Sequence, residues 1–275
     1  MCLIAFALNA DAACPLRIAS NRDEFLDRPT AALHRWQLAD GTEVVGGRDL
    51  RDGGTWLGLS PQGRVAMVTN VRQPVQEPAG RSRGELVTRW LQCDGDAERF
   101  ASGLNPALYG AFNLVVGDFH ARAWHWMGNR DPGAPHSAPS SVLHQRALGD
   151  GIYGLSNASL DTPWPKTQRL KAALVASMNT DADWLSPLSE ALTHDQPVPD
   201  PELPHTGMST DLERALSSPF VRMADRAYGT RSSQVVSLQA RAQGFAVTVH
   251  EWTHDPAAAV SSLVPDRARI ETLVW

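Results

Sequence analysis

The sequence predicts an α+β protein built from antiparallel sheets with helices packed on them. Three observations point to this class: apolar strand patterns recur in pairs around turn residues, helical patterns are few, and no internal repeat is present. Many paired strands with few helices are typical of antiparallel sheets covered by helices. The length of 275 residues fits one large domain or two. The proline-rich segment 196–206 lies between strands that need one another, so we expect a single domain over 1–275.

The strands are predicted from short apolar runs bounded by glycine, proline, asparagine or aspartate. Segment 3–8 is expected to form a hairpin with segment 15–20. Further strands are predicted at 43–47, 55–59, 64–69, 111–117, 122–127, 151–155, 232–238, 245–250 and 269–274.

Four helices are predicted from apolar residues that recur every three or four positions. Helix 83–93 places Leu86, Val87, Trp90 and Leu91 on one face. A second helix is predicted over 162–178, with Thr162 as its N-cap and Pro163 as its first residue. The other two are expected at 183–193 and 210–216.

Composition and charge exclude several classes of function. The chain has 25 Lys+Arg against 30 Asp+Glu, a formal net charge of −5, which argues against electrostatic binding to nucleic acid or to a membrane surface. No apolar run approaches the roughly 20 residues that a transmembrane helix needs. Three cysteines without a CxxC pair cannot build a disulfide framework or a structural zinc site. Free cysteines fit a reducing compartment, so we expect a cytoplasmic protein.

The first apolar residues are interpreted as a strand rather than as a secretion signal. No Lys or Arg precedes this run, the run is short, and Asp11 stands where a lipoprotein signal requires an aliphatic residue.

Cys2 is the most informative candidate for catalysis. Removal of Met1 would leave its thiol on the same residue as a free α-amine, whose pKa is about 7.7–8.0. Such an amine can accept the thiol proton at neutral pH, which is how an N-terminal nucleophile is activated. The alternative is an inert cysteine buried on a core strand.

Polar segment 21–24 follows the predicted strand 15–20 and would lie near Cys2 once the hairpin returns the chain. Asp23 could orient the α-amine, and the charge of Arg22 could favour the thiolate. The alternative for these residues is a solvated turn.

Three further residues could stabilise charge during a reaction. Asn70 ends a predicted strand and Asn157 follows another, so either amide could donate to a developing oxyanion. Arg231, at the start of a late strand, could pair with a carboxylate of the substrate or of Asp23. The alternative for Asn70 is an ordinary turn residue.

Several motifs together carry a resemblance to a known family. They occur in the order MC, NRDEF, RP, GGTWLG, TN, RGELV, FNL, YGLSN, TPW and YGTRS, and they extend from Met1 to about Ser233. In this respect the chain resembles the NRDE family, the transport and Golgi organisation 2-like proteins. That family is in turn similar to N-terminal-nucleophile hydrolases of the choloylglycine hydrolase and penicillin V acylase type, and this implies a four-layer αββα sandwich.

The resemblance to those hydrolases also implies roles for the candidate residues. Cys2 matches the nucleophile, and Asp23 matches the acidic residue that contacts the free amine. Arg22 matches the active-site Arg only approximately, since the hydrolases show Arg-Asn-x-Asp where this chain has Ser-Asn-Arg-Asp. Asn70 and Asn157 match the two oxyanion-side asparagines, and Arg231 matches a late active-site Arg.

These roles imply hydrolysis of an amide C–N bond through a thioester on Cys2, with no metal and no organic cofactor. The expected partner is a small-molecule substrate or a hydrophobic ligand, because nine tryptophans could line a pocket as well as a core.

A second hypothesis, non-enzymatic haem binding or haem trafficking, also follows from the resemblance, since the NRDE family has been linked to haem. The candidate haem contacts are the Cys14-Pro15 dipeptide and the pair His125 and Met127, which strand alternation places on one face. The alternative for Cys14 is a free thiol in a hairpin turn.

Overall fold

The computed structural model describes residues 2–74, 80–136, 142–180, 183–255, 258 and 262–275. Its strands are β1 (Cys2–Leu8), β2 (Leu16–Phe25), β3 (Thr30–Gln37), β4 (Glu43–Asp49), β5 (Leu57–Leu59), β6 (Arg64–Asn70), β7 (Phe112–Asp118), β8 (Ala123–Gly128), β9 (His144–Leu148), β10 (Gly151–Leu155), β11 (Arg222–Met223), β12 (Tyr228–Ala240), β13 (Phe245–Thr253) and β14 (Arg269–Val274). Its α-helices are α1 (Gly84–Gln92), α2 (Ala97–Ser102), α3 (Pro165–Met178), α4 (Leu185–Leu192) and α5 (Thr210–Ala215).

The chain divides into two compact units, each of which combines distant segments. The first unit holds the residues up to Asp27 together with 150–156 and 161–274. Its antiparallel sheet has the order β10-β1-β2-β12-β13-β14, with β11 added to β12. Because side chains alternate along a strand, Leu3 and Ala5 of β1 face Leu170 and Leu174 of α3 in one apolar cluster. Helix α4 contributes Leu188 to the same cluster.

The second unit holds residues 28–149 and 157–160 together with Trp275. Its antiparallel sheet follows the chain in the order β3-β4-β5-β6-β7-β8-β9. Helix α1 packs on this sheet through the face predicted from the sequence, and Leu86, Val87, Trp90 and Leu91 are all buried. Gly54 permits a close approach to the start of this helix, since an added Cβ would lie 2.5 Å from the carbonyl carbon of Gly84.

Strand β2 is longer than predicted. It continues through segment 21–24 to Phe25, so the prediction that these polar residues follow the strand is wrong. The reason is a partner far along the chain: β12 pairs with β2 from Leu16 to Phe25. Main-chain hydrogen bonds therefore keep an apparently turn-like sequence extended.

Helix α3 begins later than predicted. Thr162 is not its N-cap and Pro163 is not its first residue, because the helix begins at Pro165. Trp164 between the two prolines is extended, with ψ of 144°, as expected for a residue that precedes proline. The sequence offered two prolines suited to the first helical position, and the structure uses the second.

The predicted α+β class with antiparallel sheets and helices packed on them is confirmed. Each unit contains one sheet and at least one helix that covers a face of it. The single domain over 1–275 stays a prediction. Among the described residues, no helix is long and apolar enough to cross a membrane, and the cytoplasmic location stays a prediction.

Candidate active site

Cys2 occupies the first position of β1, directly opposite Arg22 of β2. Residues paired across antiparallel strands direct their side chains to the same face, so the thiol and the guanidinium share one face of the first sheet. On the other side of β1, Ser156 donates its hydroxyl to the carbonyl oxygen of Cys2 at 3.2 Å. Cys2 is therefore held by β2 on one side and by Ser156, which follows β10, on the other. Met1 lies outside the described residues.

The environment of Cys2 disfavours a spontaneous thiolate. Burial raises the pKa of the Cys2 thiol, and the negative charge of Asp23 raises it further. The charge of Arg22 and the main-chain N–H of Asp23 act in the opposite direction and do not cancel the effect of burial. A base is therefore needed to remove the thiol proton near neutral pH.

Asp23 lies on the opposite face of β2 from Arg22, and the next strand, β12, fixes its position. Thr230 pairs with Asp23 in the sheet and donates its hydroxyl to Asp23 Oδ1 at 2.7 Å. Tyr228 donates its phenol to the main-chain oxygen of Asp23 at 3.1 Å. Asp23 is only 2% exposed, so the Thr230 hydroxyl takes the place of water at one oxygen of the buried carboxylate.

Arg231 occupies an irregularity in β12. Thr230 pairs with Asp23 and Ser232 pairs with Arg22, so Arg231 is one extra residue between two consecutive pairs. Such bulges redirect side chains and are common beside active sites. Arg231 Nη1 donates to the main-chain oxygen of Phe25 at 2.8 Å.

Two arginines lie close to one another at this end of the sheet. Burial and the positive charge of Arg22 lower the pKa of Arg231, while Glu24 and Asp27 act in the opposite direction. Arg22 Nη2 lies 3.8 Å from Glu24 Oε2. The Cys2 thiol thus shares its face of the sheet with the Arg22 guanidinium, whose charge opposes the effect of burial on the thiol pKa without cancelling it.

Asn70 and Asn157 belong to the second unit and contact one another. Asn157 is fully buried, and its Nδ2 donates to the main-chain and side-chain oxygens of Asn70, each at 3.1 Å. The carbonyl oxygen of Asn157 accepts from the main-chain N–H of Arg72 at 2.7 Å. Donation from Asn157 to an oxyanion would therefore require Asn70 to rotate away.

The six predicted site residues form two groups. Cys2, Arg22, Asp23 and Arg231 meet at one end of the first sheet, whereas Asn70 and Asn157 form a pair in the second unit. The assembly of all six into one site stays a prediction.

Sequence reasoning assigned no role to Thr230, Tyr228 or Ser156, although all three stand within the quoted motifs YGTRS and YGLSN. Their contacts depend on strand pairing between segments about 150 to 210 residues apart. The signal that could have found them is the presence of hydroxyl residues in strands predicted to adjoin β1 and β2.

Asn21 has a structural role in the same motif as Arg22 and Asp23. Its Nδ2 donates to the carbonyl oxygens of Leu192 and Pro219 at 2.8 and 3.0 Å. Its Oδ1 accepts the hydroxyl of Ser233 at 2.6 Å. Asn21 therefore ties β2 to the end of α4 and to the loop that precedes β11.

His254 completes this buried network. Its Nε2 lies 2.8 Å from the Ser233 hydroxyl, whose single proton is donated to Asn21. Nε2 must therefore carry a proton and donate it. Burial, together with the charge of Arg222, lowers the pKa of His254 to about 4, so the ring is neutral at neutral pH.

Two of the residues considered for haem, Cys14 and Met127, lie in ordinary structural surroundings, whereas the Nδ1 atom of His125 is buried and no hydrogen bond to it is found among the described residues. Cys14 is buried, and its Sγ donates to the carbonyl oxygen of Leu16 at 3.4 Å. Met127 is fully buried in an apolar cluster with Leu114 and Val116. Within the described ranges, no group of three or more His, Cys, Asp or Glu side chains is arranged to hold a metal ion.

Comparisons with known proteins identify relatives along most of the chain. The sequence matches the family described as Transport and Golgi organisation 2 over residues 1–256. It is 34% identical over 260 residues to the Transport and Golgi organization protein 2 homolog of Bos taurus, and 32% identical over 260 residues to the homolog of Mus musculus. Each alignment covers 87% of this chain and 89% of the relative.

Among solved structures, the mutant C2A of the conjugated bile acid hydrolase from Clostridium perfringens is similar to this chain. The TM-score is 0.48 at 9% identity, and the match covers 99% of this chain and 97% of that chain. The family match over 1–256 and the two mammalian relatives show that this chain belongs to the Transport and Golgi organisation 2 family.

Proposed function

We propose that this chain is an N-terminal-cysteine hydrolase that cleaves an amide C–N bond through a thioester on Cys2. The observation that carries the proposal is the strand register that places Cys2 opposite Arg22, with Asp23 adjacent and fixed by Thr230. A thiol, a guanidinium and a buried carboxylate at one sheet end are the groups that such a nucleophile needs.

The position of these groups suits a base located on Cys2 itself. The thiol lies on one face of the sheet and the Asp23 carboxylate on the other, while the main-chain nitrogen of Cys2 lies in the plane between them. After removal of Met1, that nitrogen is an α-amine that can contact both groups. Since burial raises the pKa of the thiol, an adjacent base is what makes the thiol reactive at neutral pH.

The proposed reaction proceeds in two steps. The amine takes the Cys2 proton, and the sulfur attacks the amide carbonyl to form a tetrahedral oxyanion. The side-chain amides of Asn157 and Asn70 stay the donors that the sequence predicts for this oxyanion. The ammonium returns its proton to the leaving amine as the C–N bond breaks and a thioester forms. Water then attacks the thioester, which releases the carboxylic acid and restores the thiol.

The first experiment measures the mass of the intact protein from its native host. We expect the mass to lack Met1, because the mechanism needs a free amine on Cys2. Retention of Met1 would contradict the proposal.

The second experiment treats the protein with p-nitrophenyl acetate near pH 7. We expect one acetyl group on Cys2 in samples quenched with acid during the reaction, identified by peptide mass spectrometry, since attack on the ester gives the same kind of thioester and releases p-nitrophenol. Cys93 in the same sample serves as the internal control because it is also partly exposed. Equal labelling of Cys2 and Cys93 would count against an activated nucleophile.

The alternative function, haem binding, makes a different prediction. A haem-binding protein should change the Soret band of haem at micromolar concentration, and Cys14→Ala or His125→Ala should reduce that change. An unchanged Soret band would reject this alternative and would leave the hydrolase proposal standing.

A further inference from the structure

We infer that Thr230 is a positioning residue that orients the Asp23 carboxylate towards the Cys2 amine. The inference rests on the proposed function, because Thr230 is inferred to hold the Asp23 carboxylate, and that carboxylate is proposed to hold the Cys2 α-amine that acts as the base. Thr230 acts through Asp23 and is not expected to contact a substrate.

An oriented chain of hydrogen bonds supports this role. The main-chain N–H of Val221 donates to Thr230 Oγ1 at 2.9 Å, and Thr230 Oγ1 donates to Asp23 Oδ1 at 2.7 Å. A hydroxyl has one proton to donate, and here that proton goes to the carboxylate. Hydrogen bonds in such a chain strengthen one another at a buried site, and both Thr230 and Asp23 are buried.

The position of Thr230 is itself fixed from two sides. Its main-chain N–H donates to the carbonyl oxygen of Val221 at 2.9 Å, so Thr230 and Val221 exchange two hydrogen bonds. The neighbouring Gly229 allows this contact, since a Cβ there would lie 2.7 Å from the Val221 oxygen. The pairing of Thr230 with Asp23 across the sheet supplies the second side.

Tyr228 provides a second contact with the same residue. Its hydroxyl donates to the main-chain oxygen of Asp23 at 3.1 Å. Burial and the charges of Asp23, Cys2 and Glu24 hold the pKa of Tyr228 well above its usual value, so it keeps the proton that it donates. Thr230 thus holds one carboxylate oxygen of Asp23 while Tyr228 holds its backbone, and the direction of the other carboxylate oxygen is fixed.

A purely structural role for Thr230 makes a different prediction from a positioning role. If Thr230 only joins β12 to Val221, its loss would lower the melting temperature or change the access to Cys2 equally at every pH. If Thr230 orients Asp23, its loss weakens the ionisation of Cys2 that the α-amine assists. The rate of reaction of Cys2 then falls only below the pH at which the thiol ionises without the amine.

The test measures the rate of Cys2 alkylation by iodoacetamide between pH 6 and 10 on the processed full chain, with each cysteine followed by peptide mass spectrometry. Thr230→Val should react about tenfold more slowly than wild type at pH 7, which is the scale of one lost hydrogen bond to a charged group. The two rates should converge at high pH. Thr230→Ser keeps the hydroxyl and should retain the wild-type profile. Thr248→Val, in β13 of the same sheet, is the matched control and should also retain it.

Melting temperatures of all variants show whether they fold. If Thr230→Val does not fold, Tyr228→Phe tests the same arrangement and should slow alkylation at pH 7 by about threefold, because one neutral hydrogen bond is lost.

A wild-type profile in Thr230→Val, or a loss that is equal at every pH, would overturn the inference while the neutral-pH reactivity of wild-type Cys2 stands. If Thr230→Val does not fold, a wild-type profile in Tyr228→Phe would overturn it too. A wild-type protein that retains Met1, or that shows no reactivity near neutral pH, would overturn the proposed function and this inference with it.

Discussion

The two ends of the first sheet each combine a cysteine with an arginine, yet only one end has the other groups of the proposed catalytic site. At one end Cys2 lies opposite Arg22, and at the other Cys14 lies near Arg17. Burial raises the pKa of both thiols, and the nearby arginine lowers each in part. The two ends therefore have the same influences on the thiol pKa, namely burial and a nearby arginine.

The difference lies in what each arginine and its neighbours do. Arg17 Nη1 donates to the carbonyl oxygen and hydroxyl of Ser177 near the end of α3, and its guanidinium lies 5.6 Å from the centre of the Trp184 ring. It therefore satisfies a helix C-terminus, as basic side chains often do. The other end adds a buried carboxylate, a hydroxyl that holds it, and an extra residue in the strand. A thiol beside a guanidinium is thus not sufficient evidence for a catalytic site.

The largest effect expected from this comparison is on catalysis. Cys2→Ala should lower the hydrolysis of an amide substrate by at least about 10⁴-fold, since it removes the nucleophile. Cys14→Ala should leave the rate within about threefold of wild type. The rate is measured on a panel of N-acyl amides by release of the amine. A comparable loss in Cys14→Ala would show that the two ends are not distinct.

The second prediction separates the orientation of the amine from the charge near the thiol. Asp23→Asn should lower turnover by about 10⁴-fold, the scale seen when an orienting carboxylate is neutralised. The same change also removes a negative charge that raises the pKa of the Cys2 thiol, so a loss of turnover would come from the orientation of the amine rather than from that charge. Asp11, whose charge acts on Cys14 instead, gives the matched control Asp11→Asn, which should leave turnover unchanged. Full turnover in Asp23→Asn would remove Asp23 from the mechanism.

The third prediction concerns stability at acid pH. The pKa of His254 falls from 6.5 to about 4 on folding, so the unfolded chain binds the proton first. His254 therefore contributes stability fully above about pH 6.5, and this contribution is lost as pH falls towards 4. A difference of this size corresponds to about 3 kcal/mol. His254→Gln should remove much of that pH dependence in denaturant unfolding measured between pH 4 and 7.5.

His205 is exposed, so His205→Gln is the control for that measurement and should keep the wild-type slope. If the free energy of unfolding of His254→Gln keeps the wild-type dependence on pH, the buried network of Asn21, Ser233 and His254 does not determine stability at acid pH.

The smallest effects are expected when the two arginines are exchanged for methionine. Arg22→Met should move the alkylation profile of Cys2 to higher pH, because the positive charge lowers the pKa of that thiol. Arg17→Met should leave the profile unchanged and destabilise the fold by about 2 kcal/mol, through loss of buried charged hydrogen bonds. Thermal unfolding and iodoacetamide kinetics measure the two outcomes. A shift in the Cys2 profile of Arg17→Met would contradict the comparison.

Local sequence patterns were sufficient for most elements of the fold. The apolar face of α1 and the strands at 151–155 and 269–274 agree with their predictions, because their periodicity or apolar character is local. Strand β3 was missed, since only Leu33 and Trp36 of its eight residues are buried and the alternation is weak. Strand β9 was missed because it is mostly polar and exposed.

The candidate site was less accessible to local reasoning. Segment 21–24 is polar and suggests a turn, yet β12 keeps it extended from more than 200 residues away. Cys2, Asp23 and Arg231 were predicted from the sequence. The hydrogen bond between Thr230 and Asp23 depends on the register of two strands that are distant in the chain. The contact between Asn70 and Asn157 joins residues 87 positions apart and could not be found from spacing.

Arg231 is the extra residue of β12 in its pairing with β2. Because Thr230 and Ser232 already pair with consecutive residues of β2, a chain without Arg231 could keep every other pairing of the sheet unchanged. The sheet does not require this residue for its own construction. Its removal would delete the Arg231 guanidinium, which donates to the main-chain oxygen of Phe25, and the carbonyl oxygen that accepts the main-chain N–H of His254. Deletion of this one residue would therefore remove the Arg231 side chain while leaving the pairing of β12 with β2 in place.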